Sequence, residues 1–110
     1  MTARLTTDFW VSAYLARLEV AAIPAHLVAK GDPTAGAVVV KVATMNRRAS
    51  VYHRALGPDF ERIWAPLVED AEESEADAAV RRQREFDPDL WVIEVEDPKG
   101  RSLLKEDGLG

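Results

Sequence analysis

The sequence predicts an α+β fold, two helices packed on a mainly antiparallel sheet of four to five strands, in the order α-β-β-β-(β)-α-β. Three observations carry this expectation. Apolar residues recur at spacings of three and four over residues 11–22. An unbroken β-branched run covers residues 37–45. Short turn-forming stretches, not long connections, separate the segments.

The first element is a helix beginning near Phe9, with Asp8 or Thr7 as its cap. Val11, Tyr14, Leu15, Leu18 and Ala22 form one stripe on a 3.6-residue period, while Arg17 and Glu19 fall off it. Pro24 ends the segment, because the residue before a proline avoids helical geometry. Ala25–Lys30 reads as a short strand. The turn formers of 31–36 follow, and there Gly31 and Gly36 are expected to supply backbone freedom at positive φ in a hairpin loop. Ala37–Met45 is the clearest strand. A polar turn at Asn46-Arg47-Arg48 leads into the strand Ser50–Leu56, and the three strands are expected to form an antiparallel meander. Phe60–Trp64 reads as a fourth strand capped by Pro66.

Six acids crowd residues 69–77, and Ser74 with Asp77 three positions on resembles a capping box. The helix that follows runs to about Phe86. It points Ala76, Ala79, Val80 and Phe86 at the core, and its late arginines complement the dipole and pair with Asp77 through Arg81. Asp87-Pro88-Asp89 stops it. Leu90–Glu96 is the last strand, with Trp91, Ile93 and Val95 turned toward the helices, Glu94 toward solvent, and an outer edge left to be paired. Both helices are expected in one layer on the sheet. Residues 1–101 form the domain, and residues 102–110 are expected to be a frayed tail.

Bulk properties set the class. The chain of 110 residues is the size of one domain, and its 47% hydrophobic and 30% charged content is ordinary for a globular protein. There is no cysteine, which excludes disulfides, thiolate metal sites and a cysteine nucleophile and fits a reducing, cytoplasmic setting. No secretory signal and no apolar run of membrane-spanning length are read in the sequence, so no membrane partner is expected. The net charge of −5 is divided unevenly: residues 1–55 hold seven basic and three acidic side chains, residues 56–110 seven basic and sixteen acidic. Attraction between the two halves within one fold accounts for this, and a pI near 5.0 weighs against a dedicated nucleic-acid binder.

Three stretches together are similar to a known family: Phe9-Trp10-Val11 through Leu18, Gly31-Asp32-Pro33-Thr34-Ala35-Gly36-Ala37 into Val40-Lys41-Val42, and Asp87-Pro88-Asp89-Leu90-Trp91-Val92-Ile93-Glu94-Val95. They resemble a small bacterial family of about this length, known only as a domain of unknown function. The resemblance implies a stand-alone bacterial domain and carries no activity with it.

No catalytic constellation emerges, so no catalytic residue is assigned and the sequence leans away from an enzyme. His26 and His53 lie in separate strands without local ligand spacing, so neither metal nor cofactor is expected. No Gly-x-Ser-x-Gly elbow exists. The Gly31-x-x-x-x-Gly36 spacing lacks the Lys-Ser/Thr of a phosphate loop and opens a strand. The element order is shared with restriction-type nucleases, which resemble Pro-Asp followed by acid-spacer-lysine. Here Pro88-Asp89 precedes Glu94-Val95-Glu96, ending in Glu where lysine is needed, and Lys41 has no acid before it. Trp10, Trp64 and Trp91 read as core anchors.

The expected function is a non-catalytic interaction module, self-associating (a possible homodimer) or acting as an adaptor for another protein, through a sheet edge at Trp91 and Ile93. The alternative is weak nucleic-acid binding with Lys41, Arg47, Arg48 and Arg54 as polyanion contacts. A second alternative is an enzyme with an unrecognised site.

Overall fold

A computed structural model describes residues 5–56 and 62–106. Two helices pack on a five-stranded, mainly antiparallel mixed sheet. The elements are α1 (Thr7–Val20), β1 (Ala25–Ala29), β2 (Val38–Ala43), β3 (Arg48–Leu56), β4 (Arg62–Glu72), α2 (Glu73–Phe86) and β5 (Trp91–Glu96). The strand order is β1-β5-β2-β3-β4.

Of the expected three-strand meander the pairing of β2 with β3 holds, and β4 extends it antiparallel on the far side of β3. The meander fails for β1, because β5 inserts between β1 and β2, antiparallel to the first and parallel to the second. A parallel pair needs a crossover, and α2 lies in that connection. The last strand is therefore interior, and the free outer edge expected beside Trp91 and Ile93 does not exist. The fourth strand continues through Pro66 to Glu72. Proline is tolerated there because β4 is an edge strand, with one side of its ladder open.

Strand alternation sends β2 side chains to two cores. Val38, Val40 and Val42 join Trp91, Ile93 and Val95 under Trp10, Val11, Tyr14 and Leu18 of α1. Val39 and Ala43 join Val51 and Val92 under Ala76 and Val80 of α2. The helices thus cover opposite faces, not one layer as expected, since an unbroken apolar strand is buried on both sides. All three tryptophans are buried. Phe86 is 89% exposed, contrary to its expected core position at the last turn of α2.

The caps also differ. No side chain caps either helix. The Thr7 and Asp8 amides instead donate to the carbonyls of Thr34 and Pro33, and the Thr7 hydroxyl donates to Gly36 O. That same loop is pinned to the start of β5. The Asp32 amide donates to Asp89 O, and the Trp91 indole N–H donates to Asp32 O at 2.7 Å. Gly31 and Gly36 therefore serve proximity, not positive φ. A Cβ on Gly31 would sit 2.0 Å from Asp89 O, and one on Gly36 2.6 Å from it. The loop is a crossover past β5, not a hairpin. Residues 102–106 are held as well: the Tyr14 hydroxyl donates to Ser102 O, and Leu104 is 2% exposed in the α1 core. Residues 107–110 of the expected frayed tail lie outside the described residues.

Candidate functional site

Lys41 is the one charged residue on β2, whose six residues are all buried. The strand alternation that puts Val40 under α1 puts Lys41 under the first turn of α2. Glu73 and Asp77, four apart on that helix, face it. Glu94 of β5 lies in parallel register beside it. The Lys41 ammonium donates to Glu73 Oε2 at 2.8 Å, Asp77 Oδ1 at 2.7 Å and Glu94 Oε1 at 2.8 Å. Burial alone would pull the Lys41 pKa down, but hydrogen bonds to Asp77, Glu73 and Glu94 outweigh it and hold the ammonium well above the ordinary lysine range.

The row continues to the sheet edge. His26 of β1 lies opposite Glu94, with its Nε2 3.3 Å from Glu94 Oε2 and its Nδ1 4.0 Å from Glu96 Oε1. Four carboxylates, those of Glu73, Asp77, Glu94 and Glu96, thus stand around one ammonium and one imidazole. Two sets bring potential cation ligands within 4.8 Å of one another: His26, Glu94 and Glu96, and Glu73, Asp77 and Glu94. In the second set the ammonium of Lys41 takes the central position. All three of its donors are spent on carboxylates, so it has no N–H left to orient a substrate or a water, and its charge makes it no nucleophile.

The residues singled out in the sequence do not converge. Trp91 and Ile93 are buried in a strand paired on both sides, so neither presents a surface. Lys41 and Arg54 face opposite sides of the sheet. The Arg54 guanidinium lies 5.1 Å from the Trp64 ring and 5.8 Å from the Trp10 ring, and its pKa is lowered by burial and by Arg62. Arg48 donates from Nε to Asp70 Oδ1 at 2.7 Å and from its terminal nitrogen to Asp70 O. Arg47 is exposed at φ 68°, and its carbonyl accepts the Glu73 amide. Lys41, Arg47, Arg48 and Arg54 therefore form no shared basic face.

Glu73, Asp77, Glu94 and His26 went unnoticed as a group because they come from three separate elements. In the sequence the α2 acids already had an explanation in the helix dipole, and Asp77 in a pair with Arg81. The acid and lysine that nucleases carry on one strand do meet here, from adjacent parallel strands, but as a closed ion cluster.

Among the described residues no helix is long and apolar enough to cross a membrane. The chain is similar to a protein from Caulobacter crescentus CB15 described as a DUF1491 family protein. Its crystal structure aligns with TM-score 0.82 at 39% identity, over 93% of this chain and 94% of that one. Its NMR structure aligns with TM-score 0.83 over 96% of each chain. The solution structure of protein Atu0922 from A. tumefaciens aligns with TM-score 0.73 at 31% identity, over 86% of each. No curated protein matches the chain. Of the three stretches that carry the resemblance, parts of two, Gly31–Gly36 and Asp87–Trp91, grip one another beside α1, the third. The family profile matches residues 5–105, and the chain belongs to DUF1491, a family of proteins of unknown function.

Proposed function

We propose that the protein is a non-catalytic interaction module that receives an extended partner segment along the outer edge of β1. One observation carries this reading, the contrast between the two edge strands. β4 is guarded by Pro66, by two register breaks against β3 and by the exposed acids Glu69 and Asp70, with Asp70 at φ 43°. β1 has no such guard over Ala25–Leu27, and its aliphatic side chains are open, Leu27 at 38% and Val28 at 47% exposure. A bulge at Val28 limits the open run, so the docking segment is short. Backbone hydrogen bonds to an added strand would satisfy this edge. The spent donors of Lys41 support a binding role over a catalytic one. A cytoplasmic setting, supported by the lack of cysteine, is part of the proposal.

The test is selection of short extended segments from a displayed peptide library on the immobilised protein. Selected segments should lose binding to Leu27→Arg and keep it with Ile63→Arg, which alters the opposite edge. Segments indifferent to Leu27→Arg would remove β1 as the docking edge.

A further inference from the structure

We infer that the segment docking on β1 alternates cationic and aliphatic residues, and that it comes from another protein and not from a second copy of this chain. This rests on the β1 edge being the docking site. The antiparallel register sets His26 opposite Glu94 and Leu27 opposite Ile93. An added strand extends both rows, because side chains on neighbouring strands stay on their own face. On the α1 face its residue would lie against the half-open Leu27. On the α2 face its residue would lie against His26, with Glu94 and Glu96 behind.

Charge then selects the occupant. Lys41 spends all three of its donors on the inner side of the cluster, on Glu73, Asp77 and Glu94. Glu96 has no part in that clamp, and both Glu94 and Glu96 lean toward the edge, where they meet the two nitrogens of His26. Strands lie about 4.8 Å apart, so a residue on the added strand sits roughly 10 Å from Glu94, within the combined reach of an arginine or lysine and a glutamate. A second copy fits poorly. Two-fold pairing of β1 with itself gives one continuous sheet and keeps the α2 faces on the same side. The acidic rows of both copies would then flank the joint, with only the two His26 imidazoles, each already facing its own Glu94 and Glu96, between them.

The experiment is an NMR titration of the isotope-labelled full chain with two blocked peptides of equal length, one alternating Lys and Val, the other alternating Glu and Val. The Lys–Val peptide is expected to shift amides of residues 25–29 and 93–95. It should bind at least tenfold more tightly than the Glu–Val peptide, with that advantage shrinking as salt rises. Glu96→Gln, which leaves the Lys41 cluster untouched, should weaken it several-fold. Equal binding of both peptides, basic-peptide shifts confined to the acidic stretch 69–77, or no binding by either would overturn the inference. So would a concentration-dependent dimer in ultracentrifugation that Leu27→Arg returns to monomer. If library-selected segments need Leu27 yet show no basic alternation, the charge inference fails while the edge reading stands.

Discussion

Lys41 stands where an aliphatic residue would have packed, and its cost is met by three carboxylates that reach it from α2 and β5. Removing it leaves Glu73, Asp77 and Glu94 to repel one another around a dry methyl group. Lys41→Met is expected to cost on the order of 2 kcal/mol, below the full penalty of a broken buried pair because all three acids keep contact with water. Urea unfolding reads this directly. Lys41→Ala, which vacates the central position of the tri-carboxylate set, should lose stability that millimolar Ca²⁺ or Mg²⁺ partly restores, and the ions should stabilise the wild type less. A variant that unfolds at the wild-type urea midpoint would show that the cluster is ornamental to the fold. None of this was legible residue by residue. The acids of α2 have a sufficient local reason to be where they are, and Glu94 reads as solvent-facing because nothing local places β5 beside β2.

At the level of elements, most of what local pattern can encode was legible, and what pairing encodes was not. The stripe through Val11, Tyr14 and Leu18 marks α1, and the valine run marks β2, because periodicity and branching are properties of neighbours in the chain. The position of β5 depends on a parallel match between Val38–Ala43 and Trp91–Glu96, which no local signal announces. Period alone predicts Phe86 in the core, but at the last turn of α2 it is exposed. The loop 31–36 shows the same limit, since its glycines read as turn formers and act as clearances. Gly31→Ala would drive a methyl into Asp89 O and the Trp91 ring, and is expected to lower stability by roughly 1–3 kcal/mol or more, as overpacking does. Thermal unfolding checks this, and a midpoint unchanged from wild type would mean that the loop shifts freely. The segment after β5 makes a comparable claim. Leu104 is enclosed in the α1 core, so Leu104→Ala should cost about 2–4 kcal/mol where a frayed tail would cost nothing.

For the whole molecule, two of the groups whose titration is tied to folding, Tyr14 and Lys41, act at alkaline pH. Burial raises Tyr14 above the ordinary tyrosine value of 10.0, and the carboxylates raise Lys41 above the ordinary lysine value of 10.5. A folded-state value above the unfolded one means the folded chain holds its proton more tightly. The stabilisation is therefore complete below the unfolded values and is lost as pH climbs beyond them. The urea midpoint should fall steadily from about pH 10 upward. Lys41→Met should fall less steeply over the same range, keeping only the Tyr14 share. Parallel curves for the two proteins would detach Lys41 from the effect.

The insertion of β5 also sets an order of events. Among the described residues β1 pairs with β5 alone, a strand made after all the others. While the protein is being synthesised, β2, β3 and β4 can pair as each emerges, but β1 must wait until β5 has left the ribosome. The sheet closes from its middle, and the strand made first is seated last. Until then its apolar side chains have no strand to lie against. The strand proposed to receive a partner in the finished protein is thus also the last to be seated during folding.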